Sequence, residues 1–173
     1  LNRVYAVMSS ISSLIVRVSD RSELFKEACR IAVDAGAFNM AWIGVIDPET
    51  LDGKVVAWHG VEQAYVADIV LTVRDGTPDS QAPACRALRS MQPVICNDIA
   101  DDPSLGRRRD GLLKMGCKSV GCFPLMVEGR RAGVIALFAG ETGVFDDDEL
   151  QLLLQLAEEC RVKTYNSPIS SFQ

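Results

Sequence analysis

The chain has 173 residues, of which 48% are hydrophobic and 24% charged, a composition typical of one ordinary globular domain. Its net charge of −5 excludes a broad nucleic-acid surface, which needs a basic face. No apolar run reaches about 18 residues, so the sequence predicts no membrane insertion. The start, Leu1-Asn2-Arg3, resembles neither a signal peptide nor an initiator, and we expect a cytoplasmic segment of a longer protein.

The first predicted elements are two helices. Apolar residues repeat at three- and four-residue steps over residues 1–18, a heptad-like pattern that needs a partner surface. Asp20 and Glu23 then predict a capping box for a second helix that ends at Gly36. The apolar face expected of that helix consists of Leu24, Ala28, Ile31 and Ala35.

A strand pair follows. Residues 38–47 are almost continuously apolar, which is typical of a strand covered on both faces. Residues 47–53 form a turn-rich loop, and residues 54–60 are predicted to return antiparallel to the first strand. The pattern indicates a hairpin.

The middle of the chain is predicted to be mixed. We expect helices over residues 61–70, 84–91 and 104–115, and a short strand over residues 93–96. Residues 74–83 are polar and rich in Gly, Pro, Asp and Ser, which predicts a mobile loop. The basic cluster Arg107-Arg108-Arg109 is interpreted as a solvated helix face.

The last part of the sequence predicts a second hairpin and a helix. Residues 119–127 and 132–139 flank a turn that contains Gly129. Asp146 and Glu149 suit the N-terminus of a helix, so the acidic run is interpreted as a cap and not as a catalytic carboxylate pair. Hairpins at both ends with helices between them predict an α+β sandwich around an antiparallel sheet.

Six cysteines are spread along the chain without any Cys-x-x-Cys pair, whereas zinc ligands are usually paired at short spacing. Most lie in apolar runs, where a free thiol behaves as a small hydrophobic group. We therefore expect no metal site and reduced, structural thiols. The cysteines are Cys29, Cys85, Cys96, Cys117, Cys122 and Cys160.

Four stretches in chain order resemble the GAF family: residues 17–47, ALRSMQPVICNDIADDP at 87–103, SVGCFPL at 119–125 and RAGVIALFAGETGVFDDDEL at 131–150. The chain is identified as a GAF domain of the type found in bacterial sensor histidine kinases and cyclic-di-GMP turnover proteins. The resemblance implies a GAF/PAS-like three-layer sandwich with about six strands, terminal helices on one face and a roofed pocket on the other. We expect an N-terminal helix over residues 1–18, the GAF domain over 19–160 and a polar tail over 161–173.

The resemblance also implies function and partners. GAF domains commonly form parallel homodimers, here through residues 1–18 and 150–160. We expect a module that binds an unknown small molecule and transmits its state through the terminal helices to an output domain in the same polypeptide. The alternative is a ligand-free dimerisation spacer.

The expected pocket combines both tryptophans with roof and strand residues. Paired aromatic side chains on adjacent strands suit a flat or apolar ligand. The alternative is that both tryptophans belong to the core. The candidate ligand-binding residues are Trp42, Trp58, Tyr65, Cys85, Leu112, and Cys122 or Phe123.

The sequence contains only weak signatures for the cofactors and ligands known in GAF domains. Bilin-binding members use a Cys-His pair, which this sequence lacks, and haem needs an axial ligand for which His59 is the sole candidate. We interpret His59 as a strand-end histidine capped by hydrogen bonds. The cyclic-nucleotide signature N-K-x-D-E is matched only by Asn97-Asp98. The cofactor is thus unknown, and neither covalent bilin nor haem is expected.

One enzymatic GAF branch reduces free methionine sulfoxide with a set of cysteines. Cys85 lies near one of the expected positions, but Ala57-Trp58 and Leu112-Leu113 occupy the regions of the others. A single histidine and the lack of a phosphate-binding loop argue against other catalysis. We expect no catalytic residue and keep the reductase as a less favoured alternative.

Overall fold

The computed structural model describes residues 3, 6, 7, 20–127 and 129–145. Six strands form an antiparallel sheet in the order β3-β2-β1-β6-β5-β4. They are β1 Met40–Ile46, β2 Asp52–His59, β3 Leu71–Thr72, β4 Val94–Cys96, β5 Ser119–Val127 and β6 Arg130–Ala139. The described helices are α1 Arg21–Asp34, α2 Gln63–Ala67, α3 Pro83–Ser90 and α4 Arg109–Lys114, with 3₁₀ segments Asp79–Gln81, Ile99–Asp101 and Pro103–Arg108. The predicted α+β fold is confirmed.

Helix α1 begins at the predicted cap. The carboxylate of Asp20 accepts a hydrogen bond from the Ser22 backbone N–H at 2.9 Å, which satisfies one of the free donors at the helix start. The buried face consists of Ala28, Cys29 and Ala32, so it is rotated from the predicted face. Helix α1 packs on β1 and β2, and its small residues permit a close approach to the sheet.

Gly36 does not end the helix in the predicted way. The helix ends at Asp34, and the left-handed conformation is taken by Ala37, with φ 56°. A Cβ on Gly36 would lie 2.4 Å from Cγ2 of Val7, which is completely buried. Gly36 therefore makes room for a residue of the N-terminal region against the domain.

The two faces of the sheet receive alternate residues of each strand, because successive side chains point to opposite sides. On β6, Val134, Ala136 and Phe138 join one buried cluster, while Ile135, Leu137 and Ala139 join the other. Helix α1 covers the second face. Helix α3 contacts β4, β5 and β6 on the first face, so both faces of the central strands are covered, as their apolar sequences predict.

The middle region departs from the sequence prediction at two points. The helix expected over residues 61–70 is only the five-residue α2, and Leu71–Thr72 instead pairs with β2 as the edge strand β3. The helix expected over residues 104–115 is a 3₁₀ segment followed by α4. The break lies at Gly106, whose φ of 54° and ψ of −128° are not helical. The six-strand expectation is met through β3, which local sequence did not predict.

The closing hairpin is confirmed, with a shorter turn than expected. Strand β6 starts at Arg130, which pairs with Val127, and the turn residue Gly129 has φ 73°. The predicted heptad-like pattern of residues 1–18 lies mostly outside the described residues, as do the capped helix after residue 145 and the tail. Among the described helices, none has the length and apolar character needed to cross a membrane.

Candidate functional site

A cavity of about 330 Å³ lies between one face of the sheet and the segments that cover it. Trp42 of β1, Val120 and Cys122 of β5, and Phe138 of β6 form its floor. Residues of α2, α3, α4 and the loops between them form the roof. The volume is at the lower end of the range of roughly 300–1,000 Å³ for small-molecule sites.

Five of the predicted pocket residues line this cavity: Trp42, Tyr65, Cys85, Leu112 and Cys122. Trp58 is directly opposite Trp42 across the β1–β2 pair and packs against the same cluster, but it does not line the cavity. That these residues bind a ligand stays a prediction.

Phe123 is not a pocket residue. It lies in the cluster on the opposite face of the sheet, with its ring centroid 6.1 Å from that of Phe145. Adjacent residues of a strand point to opposite faces, so Cys122 and Phe123 cannot both face the cavity. The structure assigns that place to Cys122.

The indole of Trp42 is the unusual polar group of the floor. Trp42 is only 3% exposed, and its Nε1 has no hydrogen-bond partner among the described residues. A buried donor without an acceptor costs about 1–3 kcal/mol, and buried polar groups in native proteins are nearly always paired. This N–H is therefore an unpaired polar group beside the cavity that is itself inaccessible to solvent.

Charged side chains are found at one part of the cavity wall. Nη2 of Arg107 lies 4.0 Å from Oδ1 of Asp79, and the two side chains are 71% and 44% exposed. Arg108 donates a hydrogen bond to the backbone oxygen of Asp68, and its Cζ lies 5.6 Å from the ring centroid of Tyr65. The exposure of Arg107 agrees with the predicted solvated cluster, but Arg107 and Arg108 also line the cavity, which the sequence did not predict.

The cavity thiols are not poised for nucleophilic chemistry. Burial raises the pKa of Cys85 and of Cys122, and the Sγ of Cys85 donates to the backbone oxygen of Val70 at 3.5 Å. Burial, reinforced by the Asp102 carboxylate, also raises the pKa of Cys96 to about 12. Since the thiolate is the reactive form, these groups are protonated and unreactive at neutral pH.

The cysteine prediction can be compared with the described part of the chain. Cys29, Cys85, Cys96, Cys117 and Cys122 are all free and buried. Within that part no group of His, Cys, Asp or Glu is arranged to hold a metal ion. Cys160 lies outside the described residues.

His59 lies away from the cavity. Its Nε2 is 3.6 Å from Oδ1 of Asp34, at the end of α1 on the other face of the sheet. His59 therefore offers no axial ligand to a group bound in the cavity.

The polar loop predicted to be mobile is organised around one carboxylate. Oδ1 of Asp75 accepts hydrogen bonds from the Gly76 backbone N–H and from Nε2 of Gln81, both at 2.7 Å. Ser80 is completely buried and its backbone oxygen accepts from Arg89 at 3.1 Å. These bonds position Pro78 and Asp79 at the cavity wall.

Asn97 connects the cavity side of the sheet with the chain that leads to residue 146. Its Nδ2 donates to the backbone oxygen of Phe145 at 3.0 Å, and the Phe145 N–H donates to its Oδ1 at 3.1 Å. The Gly143 N–H donates to the backbone oxygen of Asn97 at 3.0 Å. The residue noted as a fragment of a cyclic-nucleotide signature therefore makes structural contacts in this chain.

The sequence reasoning missed Asp79, Ser104, Arg107 and Arg108 as cavity residues. Arg107 and Arg108 had a detectable signal, because a glycine directly before two arginines interrupts the helix predicted there. Asp79 and Ser104 carried no such signal, since polar residues in a loop do not show which side they face.

The comparisons identify the class of protein. A family model described as the GAF domain matches residues 18–162. That is most of the chain, so the chain belongs to the GAF family. No curated protein gives a significant match.

Several solved structures have the same fold. The free methionine-R-sulfoxide reductase of Neisseria meningitidis, solved with its substrate, is similar with a TM-score of 0.67 and 16% identity over 92% of this chain and 86% of that one. The GAF domain of a phosphoenolpyruvate-protein phosphotransferase from Coxiella burnetii is similar with a TM-score of 0.68 and 13% identity, over 94% of this chain and 93% of that one. A domain described as part of a two-component sensor histidine kinase from Sinorhizobium meliloti is similar with a TM-score of 0.56 and 18% identity, over 86% of this chain and 92% of that one.

These likenesses confirm the fold and the expected family, whose members here include GAF domains of bacterial signalling proteins. At such identities they say nothing of this chain's ligand or activity.

Proposed function

We propose that this domain is a regulatory ligand-binding module without catalytic activity. A small molecule occupies the cavity, and its presence is transmitted through the terminal segments to an output domain of the same polypeptide. The observation that carries the proposal is the cavity itself, which combines an apolar floor with a few charged and polar groups in its wall. Apolar walls with a few polar groups are typical of sites that bind small molecules.

The chemistry of the cavity supports binding over catalysis. A reductase of the methionine sulfoxide type needs a nucleophilic thiolate. Cys85 and Cys122 are the cysteines at the cavity, and burial raises the pKa of both. The likeness to reductase structures concerns the fold, so the reductase alternative has no support from the site.

A route for transmission runs through β4 and β5. Val120 and Cys122 line the cavity and pair with Cys96 and Val94 across the two strands. Asn97 follows directly and holds Phe145 by two hydrogen bonds. A ligand that shifts β5 would therefore act on the chain leading to residue 146, to the extent that its affinity differs between the two arrangements.

The N-terminal region also contacts the chain that follows β6. Arg3 donates two hydrogen bonds to the carboxylate of Glu141, at 2.8 and 3.0 Å, and the Ser119 hydroxyl donates to the Glu141 backbone oxygen at 2.7 Å. The start of the domain and the chain after β6 are thus joined at Glu141. This supports an output route that involves both terminal segments, and we propose that these segments also form a homodimer.

Native mass spectrometry of protein purified from cells tests the ligand. We expect a bound small molecule that is lost on denaturation, and an Ala82→Trp variant that no longer carries it, because Ala82 lines the cavity. Ala100→Trp, at an exposed alanine outside the lining, is the matched control and should retain the molecule.

The alternative spacer function predicts another result. A dimer that never carries a small molecule, and whose melting temperature does not respond to a metabolite extract, would contradict ligand sensing and support a dimerisation spacer. Sedimentation gives the oligomeric state in the same samples. A monomer would contradict the proposed output route.

A further inference from the structure

The charges in the cavity wall point to the class of ligand. We propose that the cavity binds a small monoanion with a planar, apolar body, such as an aromatic carboxylate, whose charged group is held by Arg107. The inference rests on the proposed function, because it names the kind of ligand that the same cavity takes.

The body of such a ligand suits the cavity walls. Three aromatic side chains line the cavity, from the floor and from the roof, together with aliphatic residues such as Leu112 and Val120. Flat rings pack well between aromatic and aliphatic side chains, and their burial contributes roughly 25 cal/mol per Å². A volume of about 330 Å³ limits the ligand to a small molecule. The aromatic side chains are Trp42, Tyr65 and Phe138.

The described residues that line the cavity have a net charge of +1. Among them, Arg107 and Arg108 are opposed only by Asp79. The two lining thiols and the Tyr65 hydroxyl add no charge at neutral pH, because burial raises the pKa of each. The chain as a whole carries −5, so the charge of this lining is opposite in sign to that of the chain. One negative charge on the ligand would neutralise it.

Arg107 is the arginine available to the ligand. Arg108 is bound to the backbone of Asp68 and stacked near Tyr65. The ion pair of Arg107 with Asp79 is long, at 4.0 Å, and exposed, a kind of pair that contributes little to stability. A carboxylate can form two parallel hydrogen bonds with a guanidinium, which is a stronger interaction. A ligand carboxylate can therefore replace Asp79 as the partner of Arg107 at little cost in free energy.

The experiment compares probes of one shape and different charge by isothermal titration calorimetry: benzoate, benzamide, benzylamine and the dianion phthalate. We expect benzoate to bind about tenfold or more tightly than benzamide, which corresponds to about 1.4 kcal/mol. Phthalate and benzylamine should bind more weakly than benzoate. Raised salt should reduce the preference for benzoate.

Three variants test whether the preference for benzoate depends on Arg107. Arg107→Gln should bind benzoate and benzamide equally. Arg130→Gln, at an exposed arginine outside the cavity lining, should keep the wild-type preference. Asp79→Asn should bind benzoate at least as tightly as the wild type, because it removes the competitor for Arg107.

The outcomes separate this inference from the proposed function. If benzamide binds as tightly as benzoate, or Arg107→Gln retains the preference, the assignment of an anion is overturned while the cavity remains a ligand site. If no probe binds, charged or neutral, the aromatic ligand class is overturned. The proposed function then depends on native mass spectrometry alone.

Discussion

The two faces of one sheet differ in how they are covered. The face under α1 is filled by close packing, with the Phe38 and Phe145 rings stacked at 5.8 Å between centroids and Phe123 beside them. The other face is covered by α2, α3 and α4, which have five, eight and six residues, and by loops, and it contains the cavity. A long regular helix can bury a sheet face completely, whereas short segments with irregular backbone leave space. The cavity lies on the face that regular structure does not fill.

The largest expected effect tests this contrast with two leucines. Leu137 lies in the packed face and Leu112 in the cavity wall, and both are almost fully buried. Leu137→Ala should lower the free energy of unfolding by about 3–5 kcal/mol, and Leu112→Ala by about 2 kcal/mol, because Leu112 already borders a void and loses fewer contacts. Urea unfolding with an unchanged slope measures both. Equal losses would mean that the cavity is collapsed in solution.

The second prediction concerns the link between the two faces. Asn97→Ala should cost about 1–3 kcal/mol, because it leaves the N–H and the carbonyl of Phe145 without partners. Hydrogen exchange at the Phe145 amide should accelerate in this variant. Asn97→Asp is the control that keeps the acceptor for the N–H, so its exchange should stay slower than in Asn97→Ala. Unchanged exchange in both would remove Asn97 from the transmission route.

A smaller effect is expected at the cavity floor. Trp42→Phe should change the free energy of unfolding by about 1 kcal/mol or less, because loss of the unpartnered N–H offsets the lost ring contacts. The same variant should bind the native ligand more weakly if that ligand accepts the indole hydrogen bond. Trp58→Phe, opposite Trp42 but outside the lining, should leave binding unchanged. A large loss of stability in Trp42→Phe would favour a purely structural indole.

The smallest effect is a pH dependence in the roof loop. Hydrogen bonds, first from the Gly76 N–H and then from Gln81, hold the pKa of Asp75 below its ordinary value of 3.8. A lowered carboxyl pKa gives stability that is present above the unfolded value and lost as the pH falls through the folded value. Asp75→Asn should therefore show a flatter stability profile below about pH 4. An identical profile in wild type and variant would show that the carboxylate does not hold the loop.

Much of the fold could be predicted because its signals are local. The Asp20 cap, the apolar run of β1 and the Gly129 turn each depend on neighbouring residues. Strand β3 could not be predicted, because two residues become a strand only by pairing with β2. The missed break at Gly106 is a different case, because the glycine signalled an interruption of the helix and only its φ of 54° required the structure.

The sequence by itself determined the antiparallel sheet, because strand alternation and turn signals depend on short stretches of chain. The resemblance of its motifs to the GAF family supplied the family and five residues that the structure brings to the cavity. Only the tertiary structure decided which of Cys122 and Phe123 faces the cavity and which arginines reach its wall. Those outcomes depend on strand register and on where irregular segments cross the sheet. They arise from contacts between residues far apart in the chain, which no local pattern encodes.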